Sequence, residues 1–422
     1  MTVYDLKDIV KAAREKSPFY NQLYAKVNPK SFKIDDLPLI VQSDFWQANT
    51  VNNNRILTGP LHTGFVFKSG GTSGNPKFSP FTAEEWQTFT RLFGWGLAQG
   101  TGLEDGDRIG NLFYAGELYA SFIFIMDSIN NSGKKALQLP LAGHSPFSTV
   151  IQTVRDFSLT TLVGVPTSIL TLTRYLVEQK TKLPSITKIL YGGESCYEDQ
   201  LVVIKEGFPN AIVQSVGYAS VDAGHLGYFD KDCTFGLHKA FAKESIVEII
   251  DPDTGTPISE SNRPGKLYIT NLTRTLMPII RYPAGDVVQW EGPKDKGIFR
   301  ILGRSEEGVR VGPVSIPLDD MRKIIQEVDR HKLVANFQSV LEHFDGMDQL
   351  TVRIYTTKED ARAAQLGKDF EKRLAETRAF LADAVRDGKI HPLKVECVSS
   401  QYMTINPRTG KIIPIIDKRL GS

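Results

Sequence analysis

Apolar residues recur at helical spacing in some stretches of the chain and alternate in others. Leu6, Ile9, Val10 and Ala13 lie three and four apart, which predicts an amphipathic helix that stops near Ser17-Pro18, where proline disfavours continuation. Between Glu84 and Gln99 the same spacing returns at Trp86, Phe89, Phe93 and Leu97, predicting a helix with an aromatic, core-facing stripe. Arg108 to Ile129 carries two apolar runs around Tyr114-Ala115-Gly116-Glu117. Leu162-Val163-Gly164-Val165 reads as a short strand closed by Pro166 and followed by a helix through Leu170 and Tyr175, and Ile189-Leu190-Tyr191 is a strand that runs into Gly192-Gly193-Glu194. From Ile246 the pattern alternates as in a sheet: Ile246 to Ile250, a turn at Asp251 to Gly255, Lys266 to Thr270, and on to Arg281-Tyr282-Pro283-Ala284-Gly285-Asp286. The C-terminal part predicts a helix near Leu318 to Val328, a strand pair in which Leu350, Val352 and Ile354 alternate, and one helix carrying Phe370, Leu374, Leu381 and Val385 on a single face. The fold class is α/β, with a compact α+β portion at the C-terminus.

Composition narrows the class without naming a chemistry. With 422 residues and 41% hydrophobic content the chain can bury a large core in two or three domains. Fifty basic against 48 acidic residues leave a formal net charge of +2, so neither nucleic acid nor a membrane surface is expected as a partner. Cys196, Cys233 and Cys397 are too few and too scattered for a disulfide framework, which fits a reducing compartment. The first ten residues hold Asp5, Lys7 and Asp8 and lack the apolar core of a signal peptide, and no run reaches the length of a membrane span. Cytoplasmic residence is the expectation.

Four stretches carry candidate chemistry. Ser69-Gly70-Gly71-Thr72-Ser73-Gly74-Asn75-Pro76-Lys77 follows the apolar run Phe65-Val66-Phe67 and reads as a phosphate loop. Its glycines let backbone amides turn toward an anion, its hydroxyls add donors and Lys77 adds a cation. It is no Walker A loop, since Lys77 follows Pro76 and precedes Phe78. The strand ending at Gly192-Gly193 allows a flat ring to approach the backbone, or is a plain strand-to-helix turn. Phe113, Tyr114, Tyr119, Phe122 and Phe124 either line an apolar pocket or fill the core. His225, Cys233 and His238 leave a zinc site open beside the reading of buried cysteine and polar histidine, because no standard zinc spacing is present.

The order Ser-Gly-Gly-Thr-Ser-Gly-x-Pro-Lys resembles the phosphate loop of the adenylate-forming superfamily of acyl-CoA synthetases. Ser17-Pro18-Phe19-Tyr20, Asp36-Leu37-Pro38 and Asp44-Phe45 resemble the opening of its phenylacetate-coenzyme A ligase branch. Four further motifs follow in the family's order: Tyr218-Ala219-Ser220-Val221-Asp222-Ala223-Gly224, Tyr282-Pro283-Ala284-Gly285-Asp286, Gly303-Arg304-Ser305-Glu306-Glu307 and Thr409-Gly410-Lys411. The resemblance implies a large, multi-subdomain N-terminal adenylate-forming domain over residues 1–303 and a small, mobile C-terminal lid over 304–422. It implies that residues 69–74 and Lys77 close over the β and γ phosphates of ATP, that Gly192, Gly193 and Glu194 lie against nucleotide and acyl group, and that Tyr218 stacks on adenine beside Ala219 and Ser220. Asp222 would take the place of the family's Mg2+-coordinating glutamate, and Val221 replaces a hydroxyl residue that contacts the α phosphate. Asp286 would accept hydrogen bonds from the ribose hydroxyls, Arg304 would contact the nucleotide and Glu306 would be the hinge. Lys411 would swing in to stabilise charge at the α phosphate. Tyr114 and Gly116 fall where the related ligases form the acid pocket.

The chemistry so implied is activation of a carboxylate. ATP converts it to an acyl-AMP with release of pyrophosphate, and coenzyme A then takes the acyl group, with no covalent protein nucleophile. The aromatic residues near Tyr114 favour an aryl or arylacetic acid. A carrier-protein thiol or an amine would serve as acceptor equally well, and one related branch adenylates a hydroxylated deazaflavin cofactor. From another class, a nucleotide-binding regulator that kept the fold and lost turnover fits the substitutions Val221 and Asp222. Dimers are common among the related ligases; the sequence neither requires nor excludes one.

Overall fold

The structure is a computed structural model that describes residues 2–69, 77–194, 196, 198–304, 308–330, 333–356, 361–404 and 412–419, without the side chains of Ser69, Asp199, Arg304, Asp319 and Ser400. The predicted positions Gly70, Gly71, Thr72, Ser73, Gly74, Glu306 and Lys411 lie outside the described residues. The chain divides into two compact units, Met1–Cys196 with Ile204–Leu302 and Tyr197–Val203 with Gly303–Ser422.

The first unit is built on two sheets and a hairpin. A five-stranded parallel sheet has the order Leu137–Pro140, Arg108–Asn111, Thr161–Gly164, Lys188–Tyr191, Ile212–Ser215. Parallel neighbours require crossovers, and the helices Ser121–Asn130, Phe147–Asp156, Pro166–Glu178 and Glu198–Gly207 supply them. The central strand Thr161–Gly164 is buried throughout, the reason its residues form a continuous run instead of alternating. A seven-stranded sheet follows in the order Ser245–Ile250, Gly265–Asn271, Tyr282–Trp290, Ile298–Arg304, Leu237–Ala240, Gly224–Tyr228, Tyr218–Ser220.

Helix Ala83–Gly100 starts in a capping box: Thr82 Oγ1 accepts from the Glu85 amide at 3.1 Å and Glu85 Oε2 from the Thr82 amide at 3.0 Å. The other Glu85 oxygen accepts from the amides of Thr275 and Leu276 at 2.7 and 2.8 Å, which ties this helix start to the loop before the motif at 281–286. Its aromatic stripe, Trp86, Phe89 and Phe93, packs with Phe81, Phe67 and Phe124 in one buried cluster. The N-terminal helices Leu6–Lys16, Pro18–Leu23 and Gln42–Ala48 pack in a separate cluster with Ile249, Leu267, Ile269 and Tyr282.

The second unit has a four-stranded sheet in the order Lys394–Val398, Met347–Thr356, Val334–Phe344, Ile415–Asp417 and a hairpin Gly308–Val311/Val314–Pro317, with the helix Leu318–Val328. Here one sequence expectation changes. The helix predicted through Phe370, Leu374, Leu381 and Val385 is two helices, Ala361–Thr377 and Ala379–Arg386, broken at Arg378. Arg378 leaves helical geometry (φ −129°, ψ 67°) and, only 4% exposed, buries its guanidinium against Asp320 of Leu318–Val328. The apolar period survives the break because Phe370, Leu374 and Leu381 still share one core.

Candidate active site

Strand Phe65–Ser69 leads into the glycine-rich loop and strand Lys77–Phe81 leads out of it, paired antiparallel with Ser69 opposite Lys77. The pairing fixes where the loop begins and ends. At its exit Lys77 Nζ donates to Gln42 Oε1 at 2.9 Å and stands 5.4 Å from the centre of the Trp46 ring. Two residues on, Ser79 Oγ donates to Asp222 Oδ1 at 3.1 Å.

Asp222 lies in the turn between strands Tyr218–Ser220 and Gly224–Tyr228. Its second oxygen accepts from the Tyr282 hydroxyl at 3.4 Å, and that hydroxyl in turn accepts from Trp46 Nε1 at 3.0 Å. Beneath the turn lies Arg274, 2% exposed. Its guanidinium donates to the backbone carbonyls of Val221, Asp222 and Pro80 at 3.3, 2.7 and 2.8 Å and covers the Phe81 ring at 3.8 Å. One buried cation thus clamps the Asp222 turn to the strand that leaves the phosphate loop. Burial pulls its pKa down to about 10, opposed by the charges of Glu85 and Asp222.

Tyr218 and Asp286, 68 positions apart, meet: the Tyr218 hydroxyl donates to Asp286 Oδ2. The Gly285-Asp286 pair sits inside strand Tyr282–Trp290. Tyr268 faces Pro283 while Lys266 faces Val287, so Ala284, Gly285 and Asp286 bulge opposite Leu267, and Gly285 takes φ +85° to make the bulge. Bulges of this kind re-aim a side chain, and here the carboxylate is delivered to Tyr218. Arg281 supports the segment from below. In the left-handed region itself (φ 47°), it forms a two-pronged pair with Glu248 at 3.1 and 2.8 Å and donates to the Leu37 carbonyl at 2.6 Å. Burial raises the Glu248 carboxyl, and the guanidinium draws it back down.

Strand Lys188–Tyr191 delivers Gly192, Gly193 and Glu194. A Cβ at Gly192 would stand 2.6 Å from Val216 Cγ2, so Val216 packs closely against this glycine. Glu194 accepts from the Thr167 hydroxyl and from its amide at 3.3 Å, at the start of helix Pro166–Glu178. Tyr114 is half-buried against the aromatic cluster beside Ala219, Val221 and Phe122, with Gly116 exposed two residues on. Ser220 Oγ accepts from the Ala223 amide at 3.0 Å and so shapes the Asp222 turn.

The three candidate zinc ligands stand in different surroundings. His225 packs between Phe89 and Phe241, His238 Nε2 pairs with Ser215 Oγ at 3.0 Å, and Cys233 packs with Phe229 and Leu237. Among the described residues no group of three His, Cys, Asp or Glu can hold a metal ion. An oxygen-bound Mg2+ asks less of the protein: one carboxylate with substrate phosphates is enough, and Asp222, flanked by two hydroxyls, fits that donor chemistry.

No family model matches the chain. It is 23% identical to the phenylacetate-coenzyme A ligase of Thermus thermophilus, across 98% of this chain and 95% of that protein, and 25% identical to the enzyme of the same name from Aromatoleum evansii over 41% and 38%. Over nearly its whole length the chain is thus similar to a phenylacetate-coenzyme A ligase. Its fold matches a 2-hydroxyisobutyryl-CoA ligase solved with 2-HIB-AMP and CoA, at a TM-score of 0.72, 18% identity and coverage of 98% and 88%. An o-succinylbenzoate CoA synthetase from Bacillus subtilis matches at 0.54, with 15% identity and coverage of 91% and 76%.

Gln42, Trp46, Ser79, Arg274 and Tyr282 were absent from the sequence prediction of the site. Tyr282 stood inside a recognised motif, and its burial was the available signal. Gln42 and Trp46 share one helical face, a spacing that points at a common neighbour without naming it.

Proposed function

We propose that this AMP-forming ligase activates a small aryl or arylacetic acid as its acyl-AMP and then transfers the acyl group to coenzyme A. The observation that carries the reading is convergence of remote segments: Trp46, Tyr282 and Ser79 link Lys77 to Asp222, and Tyr218 meets Asp286 directly, on the strand that begins with Tyr282. ATP and coenzyme A are the cosubstrates. In the first step a carboxylate oxygen attacks the α phosphorus, the new P–O bond forms as the α–β bridge breaks, and pyrophosphate leaves. In the second the thiolate of coenzyme A attacks the acyl carbon, forming C–S and breaking the C–O bond to AMP.

The residues divide this work by charge. Lys77 and Lys411 would neutralise phosphate oxygens, Asp222 would hold Mg2+, and Asp286 would accept from the ribose diol while Tyr218 stacks on the base. Mg2+ supplies charge neutralisation at the phosphates. Val221 and Ala219 turn apolar side chains toward the aromatic cluster that holds Tyr114, which favours a flat apolar acyl group. Mass detection of the thioester after incubation with ATP, coenzyme A and a panel of aryl, short-chain and amino acids tests this reading. An aryl-CoA product is expected; an acyl-AMP that accumulates without thioester would move the acceptor to a carrier thiol or an amine.

A further inference from the structure

Lys77 stands at the end of a strand, with a long flexible stem and a compact charge. Freezing such a side chain forfeits its rotamer entropy, so a lysine already held where the phosphates will arrive binds them more tightly. The holder is visible outside every recognised motif. Helix Gln42–Ala48 presents Gln42 and Trp46, one turn apart, toward both Lys77 and the motif at 282–286. The Gln42 amide uses both ends: Oε1 accepts from Lys77 Nζ at 2.9 Å and Nε2 donates to the Pro283 carbonyl at 3.3 Å. Trp46 likewise has two contacts, its ring facing the Lys77 ammonium at 5.4 Å and its Nε1 donating to Tyr282 at 3.0 Å. We propose that Gln42, assisted by Trp46, is a positioning residue for the adenylation step, setting the phosphate-loop lysine in register with the ribose-binding and metal-binding segments before ATP binds.

The chemistry of an amide suits the task better than a carboxylate. Its carbonyl oxygen orients the ammonium without itself cancelling any of the charge. A carboxylate at position 42 would form an ion pair that the phosphates must break. The inference rests on the adenylate-forming reading, because it takes Lys77 to meet the β and γ phosphates. AMP lacks those groups, and this separates positioning from general support of the fold.

Equilibrium binding of MgATP and of AMP to the full chain, compared across wild type, Gln42→Leu, Lys77→Ala, the double variant and the exposed control Gln47→Leu, tests it. Gln42→Leu is expected to weaken ATP binding about tenfold, the scale of one charge-assisted contact, and to leave AMP binding unchanged. In the Lys77→Ala background the same substitution is expected to add little, since its effect passes through the lysine. Unchanged ATP affinity in Gln42→Leu, a parallel fall of ATP and AMP affinity, or full additivity with Lys77→Ala overturns the proposal. Wild-type protein that binds neither nucleotide overturns the adenylate-forming reading as well, an outcome plainly distinct from the other three.

Discussion

Arg274 holds backbone from two distant segments together. Its guanidinium satisfies three carbonyls from two distant segments, and Arg274→Met would take that donor from all three, one of them buried. The expected loss of stability is on the order of 3 kcal/mol or more, read from denaturant unfolding. Arg274→Lys should recover only part of it, because an ammonium cannot span the three acceptors as the planar fork does. Recovery to wild-type stability in the lysine variant would show that charge alone matters there. His225 and His238 carry a different signature. Burial lowers both to about 4, so each stays neutral in the fold while the unfolded chain protonates near pH 6.5. The unfolded state then binds more protons between those values, and stability is full above about pH 6.5 and declines as pH falls toward 4. Each histidine contributes on the order of 3 kcal/mol to that decline. Melting temperature measured from pH 7.5 to 4.5 should fall less steeply in His238→Gln than in wild type, and an identical slope would contradict the assignment.

Among elements, strand Tyr282–Trp290 is the most instructive, because it carries Tyr282 at one end, Asp286 in a bulge and the Arg281–Glu248 pair at its entry. Both partners are almost fully buried. Removing one leaves the other's charge stranded, so Glu248→Ala is expected to destabilise by about 3–5 kcal/mol, whereas replacing both by apolar residues should cost less. Unfolding of the two single variants and the double variant measures this coupling directly. The helix pair Ala361–Thr377 and Ala379–Arg386 shows the limit of a periodic pattern. Phe370, Leu374 and Leu381 keep one face across the break, so periodicity reads through it; only the burial of Arg378 against Asp320 reveals where the backbone departs from a helix.

For the whole molecule, the sequence exposed the motifs and concealed what aligns them. Tyr218 and Asp286 stand beside glycines that take positive φ, and Asp222 lies two residues before another, and such residues are conspicuous in any sequence. Gln42, Trp46 and Arg274 act across 241, 236 and 194 positions respectively, with no local pattern to mark them. Two strands of the parallel sheet, at Leu162 and Ile189, were legible from short apolar runs, whereas the bulge that aims Asp286 was hidden, because it depends on register with a neighbouring strand. The measurement that bears most directly on the proposed activity is acid-dependent release of pyrophosphate from ATP by the full chain, with Lys77→Ala, Asp222→Asn and Lys411→Ala alongside. Release that requires an aryl or arylacetic acid and falls by at least about a hundredfold in each variant is the predicted result. Intact ATP binding with no release for any acid would contradict it, leaving a nucleotide-binding protein without turnover.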